Sequence, residues 1–124
     1  MKKSLIFLSL LLVLVMSVSL ASASILYTYT SSITASLSFG GSLAYCSGIV
    51  TPSGSDNASI TVRLFRQEGS SWIFVTSWSG SATGGSTAAA GGSVTVSSGT
   101  YKVTSYGVIG DGLEYPTASI TKTK

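Results

Sequence analysis

Apolar and polar residues alternate along most of the chain, and this two-residue rhythm begins near Ile33. Residues 33–39 place Ile, Ala, Leu and Phe at every second position, with Thr or Ser between them. Side chains of a β-strand point alternately to its two faces, so the pattern predicts a strand with one buried face. The rhythm recurs toward the C-terminus without a helical spacing. Seven strands are predicted, at residues 33–39, 43–51, 60–64, 72–79, 88–96, 101–109 and 117–123.

Turn-forming residues separate these segments at short intervals. Gly40-Gly41 follows the first strand, the run Pro52–Asn57 follows the second, and Gly69 follows the third. Short strands with regular turn signals are typical of two packed antiparallel sheets. We therefore predict a seven-stranded antiparallel immunoglobulin-like β-sandwich over residues 33–124. Residues 24–32 are predicted to be a flexible N-terminal arm, with an added edge strand as the alternative.

The first 23 residues have the composition of a secretory signal peptide. Lys2 and Lys3 precede an apolar run, and Ala21-Ser22-Ala23 supplies small residues for cleavage between Ala23 and Ser24. The apolar run is shorter than the roughly 20 residues that a membrane-spanning helix needs. The prediction is a helical signal peptide over residues 1–23 and a secreted domain, either extracellular or associated with the cell wall.

The charge that remains after removal of this leader is small. The 124-residue chain carries a net charge of +3, but the predicted mature chain keeps five cations against four acids. Nucleic-acid binding needs a clustered basic face, so nucleic acid is excluded as a partner. The single Cys lies far from the cleavage site and the C-terminus is polar. No stable membrane anchor is therefore expected after processing.

Most catalytic chemistries lack their residues in this sequence. The chain contains no His, which excludes Ser-His-Asp and Cys-His nucleophilic sites. No catalytic residue, no metal site and no cofactor are predicted, and the chain is not expected to be an enzyme. The predicted strand order gathers Asp56, Asp111 and Glu114 at one end of the sandwich. Turn chemistry explains these acids, and a calcium site is the alternative.

Cys46 has no partner within its own chain. It lies on the same face of the second predicted strand as Ala44, Gly48 and Val50, which favours a small buried hydrophobe. An intermolecular disulfide is the alternative for an odd cysteine in an exported protein.

Tyr101 follows Gly99 at the start of the sixth predicted strand, with Val96 upstream. This spacing is typical of a tyrosine corner, in which the phenol hydroxyl bonds the backbone a few residues earlier. Tyr101 and Gly99 are therefore predicted to be structural, although Tyr101 could instead simply begin a strand.

Four short segments together suggest a family. They are Gly48-x-Val50, Ile60-x-Val62-x-Leu64, Ser71-Trp72-x-x-Val75-x-x-Trp78-Ser79-Gly80 and Ser98-Gly99-Thr100-Tyr101-x-Val103. The chain resembles small exported proteins of Gram-positive bacteria of unknown function, with immunoglobulin-like or fibronectin-like domains. The resemblance spans about residues 33–122 and implies a fold and a compartment. It implies no catalytic residue.

The alternation also predicts one outward face rich in aromatic residues. If Ile73 and Val75 point inward, the neighbouring side chains on three adjacent strands point out, flanked by Lys102 as well as Arg63. The candidate ligand-binding residues are Arg63, Phe65, Trp72, Phe74, Trp78 and Tyr106. Exposed aromatic patches usually have a partner. The alternative is that Trp72 and Trp78 pack inside, after a bulge, or cover the open edge of the sandwich.

These observations lead to an expected function. The chain is expected to be a secreted, non-catalytic binding or surface-interaction module for cell-wall polysaccharide or another extracellular protein. The alternative is a small secreted effector of the bacteriocin type. Such toxins usually carry a basic amphipathic segment, which the mature chain lacks.

Overall fold

A computed structural model describes residues 26–124 of the chain, and all of its regular structure is β. The seven strands are β1 (Thr30–Gly40), β2 (Leu43–Pro52), β3 (Ala58–Glu68), β4 (Ser71–Ala82), β5 (Ala88–Thr95), β6 (Thr100–Ile109) and β7 (Thr117–Thr123). The prediction of seven antiparallel strands is confirmed. The predicted signal peptide and its cleavage site between Ala23 and Ser24 lie outside the described residues. Within residues 26–124 there is no helix that is long and apolar enough to span a bilayer.

The strands form two sheets. One has three strands in the order β1-β2-β5, and the other has four in the order β4-β3-β6-β7. Every neighbouring pair is antiparallel. At the margins of the two sheets, β1 lies beside β7 and β4 lies beside β5. The tight turns before β2 and β4 use Gly41 and Gly69 with positive φ angles of 59° and 62°, a conformation that costs glycine little.

The core lies between the two sheets and is built from small and medium-sized side chains. On β3 the predicted alternation is present, since Ile60, Val62 and Leu64 are buried while Arg63 is exposed. The side chains of Leu37 on β1, Val50 on β2 and Val103 on β6 are also buried. The two-residue rhythm therefore identifies the inward positions of these strands, because burial of apolar area drives the packing.

Ser105 joins the two sheets through the middle of the core. Its side chain is fully buried on β6, and its hydroxyl donates to the backbone oxygen of Thr34 on β1 at 2.8 Å. Space for this serine comes from Gly48 on β2, because a Cβ atom there would collide with the Ser105 Oγ and crowd Val62. Because Gly48 leaves this space, the Ser105 hydroxyl is buried in the core and still makes its hydrogen bond.

Tyr101 closes the end of the sandwich that contains the β5–β6 connection. Its hydroxyl donates to the backbone oxygen of Ser97 at 2.8 Å, which is the contact that a tyrosine corner predicts. The ring packs edge-on against Phe39 of the other sheet, with centroids 5.8 Å apart. Gly99 exchanges backbone hydrogen bonds with Lys124, which ties the β5–β6 connection to the C-terminal end of the chain.

Strand β1 begins at Thr30, three residues before the predicted boundary. The Glu114 carboxylate accepts hydrogen bonds from the backbone N–H groups of Thr28 and Tyr29 and from the Thr30 hydroxyl, at 2.8–3.0 Å. The Tyr27 hydroxyl accepts from the Thr117 N–H at 3.1 Å. The described part of the predicted arm is thus hydrogen-bonded to the β6–β7 connection and to the first residue of β7. The last residues of the arm belong to β1.

Cys46 points into the core from β2 and is 3% exposed. Burial raises the pKa of its thiol to about 11, because the low-dielectric interior disfavours the thiolate. The buried position fits the interpretation of Cys46 as a small hydrophobe.

Candidate binding face

The outer surface of the four-stranded sheet carries a cluster of aromatic and cationic side chains. Strands β3 and β6 place it there, because Phe65 is opposite Lys102 and Thr61 is opposite Tyr106 in their register. Residues opposite each other in an antiparallel pair share a face of the sheet. We call this cluster the aromatic–cation face; its members are Arg63, Phe65, Trp72, Phe74, Lys102 and Tyr106.

Strand β4 contributes to this face through an irregularity in its pairing. Leu64 is opposite Thr76 and Phe65 is opposite Phe74, so Val75 has no partner on β3. A bulge of this kind shifts the alternation of all later residues by one position. Trp72 and Phe74, before the bulge, therefore lie on the outer surface beside Phe65.

The bulge overturns the predicted direction of Trp78. Trp78 is opposite Val62, whose side chain is in the core, and it packs against the buried cluster. Its indole also lies against Gly92 of β5, where a Cβ atom would collide with the ring nitrogen. Trp78 thus covers the margin between the two sheets and is not part of the outer face.

The prediction of the outer face assumed that Ile73 and Val75 point inward. Val75 is the bulged residue and is 37% exposed, so the assumption does not hold for it. Ile73 is opposite Arg66, on the same side of the sheet as Leu64, but its side chain is 45% exposed.

Each cation on the face lies over an aromatic ring. The Lys102 Nζ is 4.5 Å from the centroid of the Trp72 ring and 5.3 Å from that of Phe65. The Arg63 guanidinium carbon is 4.8 Å from the centroid of Tyr106. These distances are within the range of cation–π attraction, which contributes about 0.5–1 kcal/mol at an exposed site.

Phe74 is the most exposed ring of the face. It is 55% exposed and packs edge-on against Phe65, with centroids 6.1 Å apart and ring planes at 72°. Trp72 and Phe65 are only half-buried but have Lys102 above them. Phe74 is thus the ring best placed to contact a partner directly.

Hydroxyl groups surround the aromatic and cationic side chains. Thr104 and Ser119 share a hydrogen bond of 3.0 Å between β6 and β7. Thr61 and Ser79 approach within 3.4 Å between β3 and β4. The face therefore combines flat apolar rings, two cations and short hydroxyl side chains.

Three acidic residues, Asp56, Asp111 and Glu114, lie apart from this face, at the end formed by the β2–β3, β4–β5 and β6–β7 connections. Backbone bonds from Gly85 N to Asp56 O and from Gly110 N to Asn57 O bring these connections together, and Asn57 Oδ1 accepts from the Gly84 N–H. Asp56 and Asp111 line one shallow recess there. The described residues include no group of three acids, cysteines or histidines placed to hold a metal ion.

The Glu114 carboxylate is hydrogen-bonded to residues 28–30 of its own chain. Burial alone would raise its pKa, but hydrogen bonds from the Thr30 side chain and from the backbone of Thr28, Tyr29 and Thr30 outweigh that effect, so the pKa is lowered. These bonds favour the ionised carboxylate. Glu114 is therefore a structural link to the residues before β1.

Lys102 is the member of the face that the sequence-based list of ligand candidates omitted. Its position next to the buried Tyr101 was the available signal, since alternation along β6 places Lys102 on the outer surface. Alternation alone does not show which residue of β3 lies beside Lys102. The register of β3 and β6 places Lys102 opposite Phe65.

No protein-family model matches the chain, and no curated protein sequence does. Among solved structures, CsgH of R. palustris is similar with 9% identity and a TM-score of 0.48, covering 71% of this chain and 88% of that one. OgpA of Akkermansia muciniphila has 14% identity and a TM-score of 0.46, over 78% of this chain and 28% of its own. The E. coli curli protein CsgC has 17% identity and a TM-score of 0.40, over 72% and 94%. Likenesses at this level carry no argument about function.

Proposed function

We propose that the mature chain is a secreted, non-catalytic binding module with an immunoglobulin-like fold, exported by a Gram-positive bacterium. The leader composition of residues 1–23 supports export. The sheet orders β1-β2-β5 and β4-β3-β6-β7 support the immunoglobulin-like class, because such sandwiches pack two antiparallel sheets around one core.

The aromatic–cation face is the observation that carries this proposal. Phe74 is exposed on the outer side of the four-stranded sheet, next to Phe65 and Trp72, and Tyr106 is exposed on the same side farther along β6. A folded domain gains nothing in stability from apolar rings that remain in water. Contiguous apolar area on the surface marks interaction sites, so the face is the binding surface.

Cell-wall polysaccharide is the partner that fits the face best. Aromatic side chains bring a large, rigid contact area and lose little conformational entropy on binding. The neighbouring side chains of Thr61, Ser79 and Ser119 supply accessible hydroxyl groups that can donate to and accept from sugar hydroxyls. An extracellular protein is the other partner class, and the experiment below distinguishes it.

Binding rather than catalysis suits the chemistry of this surface. The chain has no imidazole to act as a general base near neutral pH. The Lys102 ammonium lies over the Trp72 and Phe65 rings, a position that suits contact with a bound partner.

The test is a sedimentation assay of the purified mature protein with Gram-positive cell-wall sacculi. We expect the protein to pellet with the sacculi and the variant Phe74→Ala to remain mostly in solution. Tyr45→Ala is the matched control, because Tyr45 is 47% exposed on the other sheet. Thermal unfolding of each variant checks that the fold is intact.

Three results would contradict the proposal or redirect it. Equal loss of binding in Phe74→Ala and Tyr45→Ala would show that the face has no special role. Retention that is lost when the wall is treated with protease would point to a protein partner. No retention on any wall fraction would overturn the assignment as a wall-binding module.

A further inference from the structure

The cations of the aromatic–cation face are held in place before any ligand arrives. Lys102 lies over both Trp72 and Phe65, and Arg63 lies over Tyr106. Long side chains normally lose rotamer freedom when they bind. Stacking on a ring already restricts these rotamers in the free protein. Binding through either cation therefore costs less conformational entropy.

The acids of the chain are placed where they do not neutralise these charges. Asp56 and Asp111 lie in the connections at one end of the sandwich, and Glu114 is engaged with residues 28–30. Glu68 closes β3 at its turn, opposite Ser71. Within residues 26–124, the structure shows no carboxylate paired with Arg63 or Lys102. The centre of the face is therefore positively charged.

The position of Lys102 decides which ligand chemistry the face accepts. Its ammonium occupies the space over the Trp72 ring, so a neutral sugar could stack on that side of the indole only by displacing the cation. An anionic group can instead bind the ammonium and leave the cation–π contact in place. Arg63 offers the same opportunity, since a stacked guanidinium still presents N–H donors at its edge.

We infer that the face binds an anionic polysaccharide, with Arg63 and Lys102 contacting its acidic groups and Phe74 contacting the sugar surface. The inference rests on the proposed function and names its ligand class. Arg63 is opposite Thr104, two residues along β6 from Lys102. Such diagonal neighbours lie about 7–8 Å apart, so the two cations would contact separate acidic groups of one polymer.

A pair of polymers with one backbone tests the charge requirement. Polygalacturonate carries a carboxylate on each sugar, whereas its full methyl ester is neutral, and poly(glycerol phosphate) tests whether phosphate can replace carboxylate. Affinity electrophoresis in native gels measures the dissociation constant of the mature protein for each. We expect the methyl ester to bind at least about tenfold more weakly than polygalacturonate, as removal of a paired charge predicts.

Charge-removing variants then locate the contacts. Arg63→Gln and Lys102→Gln should each weaken binding to polygalacturonate by about fivefold or more, and raised salt should weaken binding of the unmodified protein. Lys122→Gln is the matched control, because it removes the same charge from β7 at a position opposite the buried Tyr101. It should change the dissociation constant less than about twofold.

The outcomes separate this inference from the proposed function. Equal binding of polygalacturonate and its methyl ester would overturn the anionic class and leave a neutral-glycan module standing. Equal effects of Lys122→Gln and Lys102→Gln, or equally tight binding of poly-glutamate, would show attraction by net charge alone and overturn the assigned contacts. No binding of any polymer, together with no retention on sacculi, would overturn both.

Discussion

Trp72 and Trp78 lie on the same strand at an even spacing in the sequence, but they occupy opposite faces of the sheet. Trp72 is opposite Gln67 and lies beneath Lys102 on the outer surface. Trp78 is opposite Val62 and packs on the core. The unpaired Val75 between them reverses the alternation. One strand therefore carries one tryptophan on the outer surface and another against the core.

Replacement of these two tryptophans should have unequal effects on stability. Trp78→Ala removes a ring packed against the core and should lower the free energy of unfolding by about 2–4 kcal/mol. Trp72→Ala removes a half-buried ring on the surface and should cost less than about 1.5 kcal/mol. Urea denaturation followed by circular dichroism measures both. Equal losses would mean that Val75 does not redirect the strand.

The tyrosine corner should make a measurable contribution of its own. Tyr101→Phe keeps the packing against Phe39 but deletes the hydrogen bond to Ser97 O. We expect the free energy of unfolding to fall by about 1–1.5 kcal/mol, the usual net value of such a bond. Tyr106→Phe is the matched control on the same strand, and it should leave thermal stability almost unchanged. A neutral Tyr101→Phe would remove the structural role of the hydroxyl.

Replacement of Gly48 by alanine should cost less stability when Ser105 is made smaller. In Gly48→Ala the new methyl group collides with the Ser105 Oγ and crowds Val62, and overpacking of this kind costs about 1–3 kcal/mol. The double variant Gly48→Ala/Ser105→Ala removes the colliding atom. We expect it to be more stable than the sum of the single effects, which a double-mutant cycle by urea denaturation detects. Simple additivity would contradict the contact.

Acid should release the residues before β1 from the domain. The pKa of Glu114 is lowered from its ordinary value of 4.5 by the bonds it accepts from residues 28–30. A lowered folded pKa stabilises the docked state above pH 4.5, and this stabilisation is lost as the pH falls through the lowered pKa. Hydrogen exchange of the Thr28 and Tyr29 amides should therefore show decreasing protection below pH 4.5.

Glu114→Gln provides the control for that pH dependence. The amide keeps one acceptor oxygen but carries no charge, so protection of Thr28 and Tyr29 should be weaker at pH 7 and should no longer change in the acidic range. Protection in this variant that still falls below pH 4.5 would assign the titration to another group.

The Cys46 thiol should react slowly in the folded protein. Burial raises its pKa to about 11, and the thiolate is the reactive form. The thiolate population at pH 8 is therefore about a hundredfold smaller than that of an ordinary thiol with a pKa near 9. Labelling with a chromogenic disulfide at pH 8 should be slow in buffer. It should be rapid in about 6 M guanidinium, which unfolds the protein.

The same shift has a consequence for stability at high pH. Because the folded pKa of Cys46 lies above that of the unfolded thiol, the folded state holds its proton more tightly. Stability is then lost between about pH 9 and about pH 11. Cys46→Ala should remove this part of the alkaline decrease. Rapid labelling of Cys46 in native buffer would contradict its burial.

Alternation predicted much of the fold because most strands are covered on one face only. On β3 the inward and outward residues were correctly assigned from the sequence, and so were Tyr101 and Lys102 on β6. The start of β1 was placed too late, since residues 30–32 lack the alternating apolar pattern and are ordered by contacts with Glu114 and the neighbouring strand. Such long-range contacts leave no local pattern.

The candidate site was predictable only in part. Arg63, Phe65, Trp72, Phe74 and Tyr106 were assigned correctly to the outer surface, whereas Trp78 was not. The error follows from the bulge in β4, which depends on the pairing between Leu64 and Thr76 and has no signature within the strand itself.

By itself, the sequence determined that the residues from Ile33 onward form antiparallel strands, and which side chains of β3 point inward. It also excluded imidazole chemistry. Only the tertiary structure decided that β4 changes face at Val75, that Lys102 lies over Trp72 and Phe65, and that Glu114 holds the residues before β1. The physical reason is that side-chain alternation is a local property of one strand, whereas register, bulges and ring–cation contacts arise between strands that are distant in the chain.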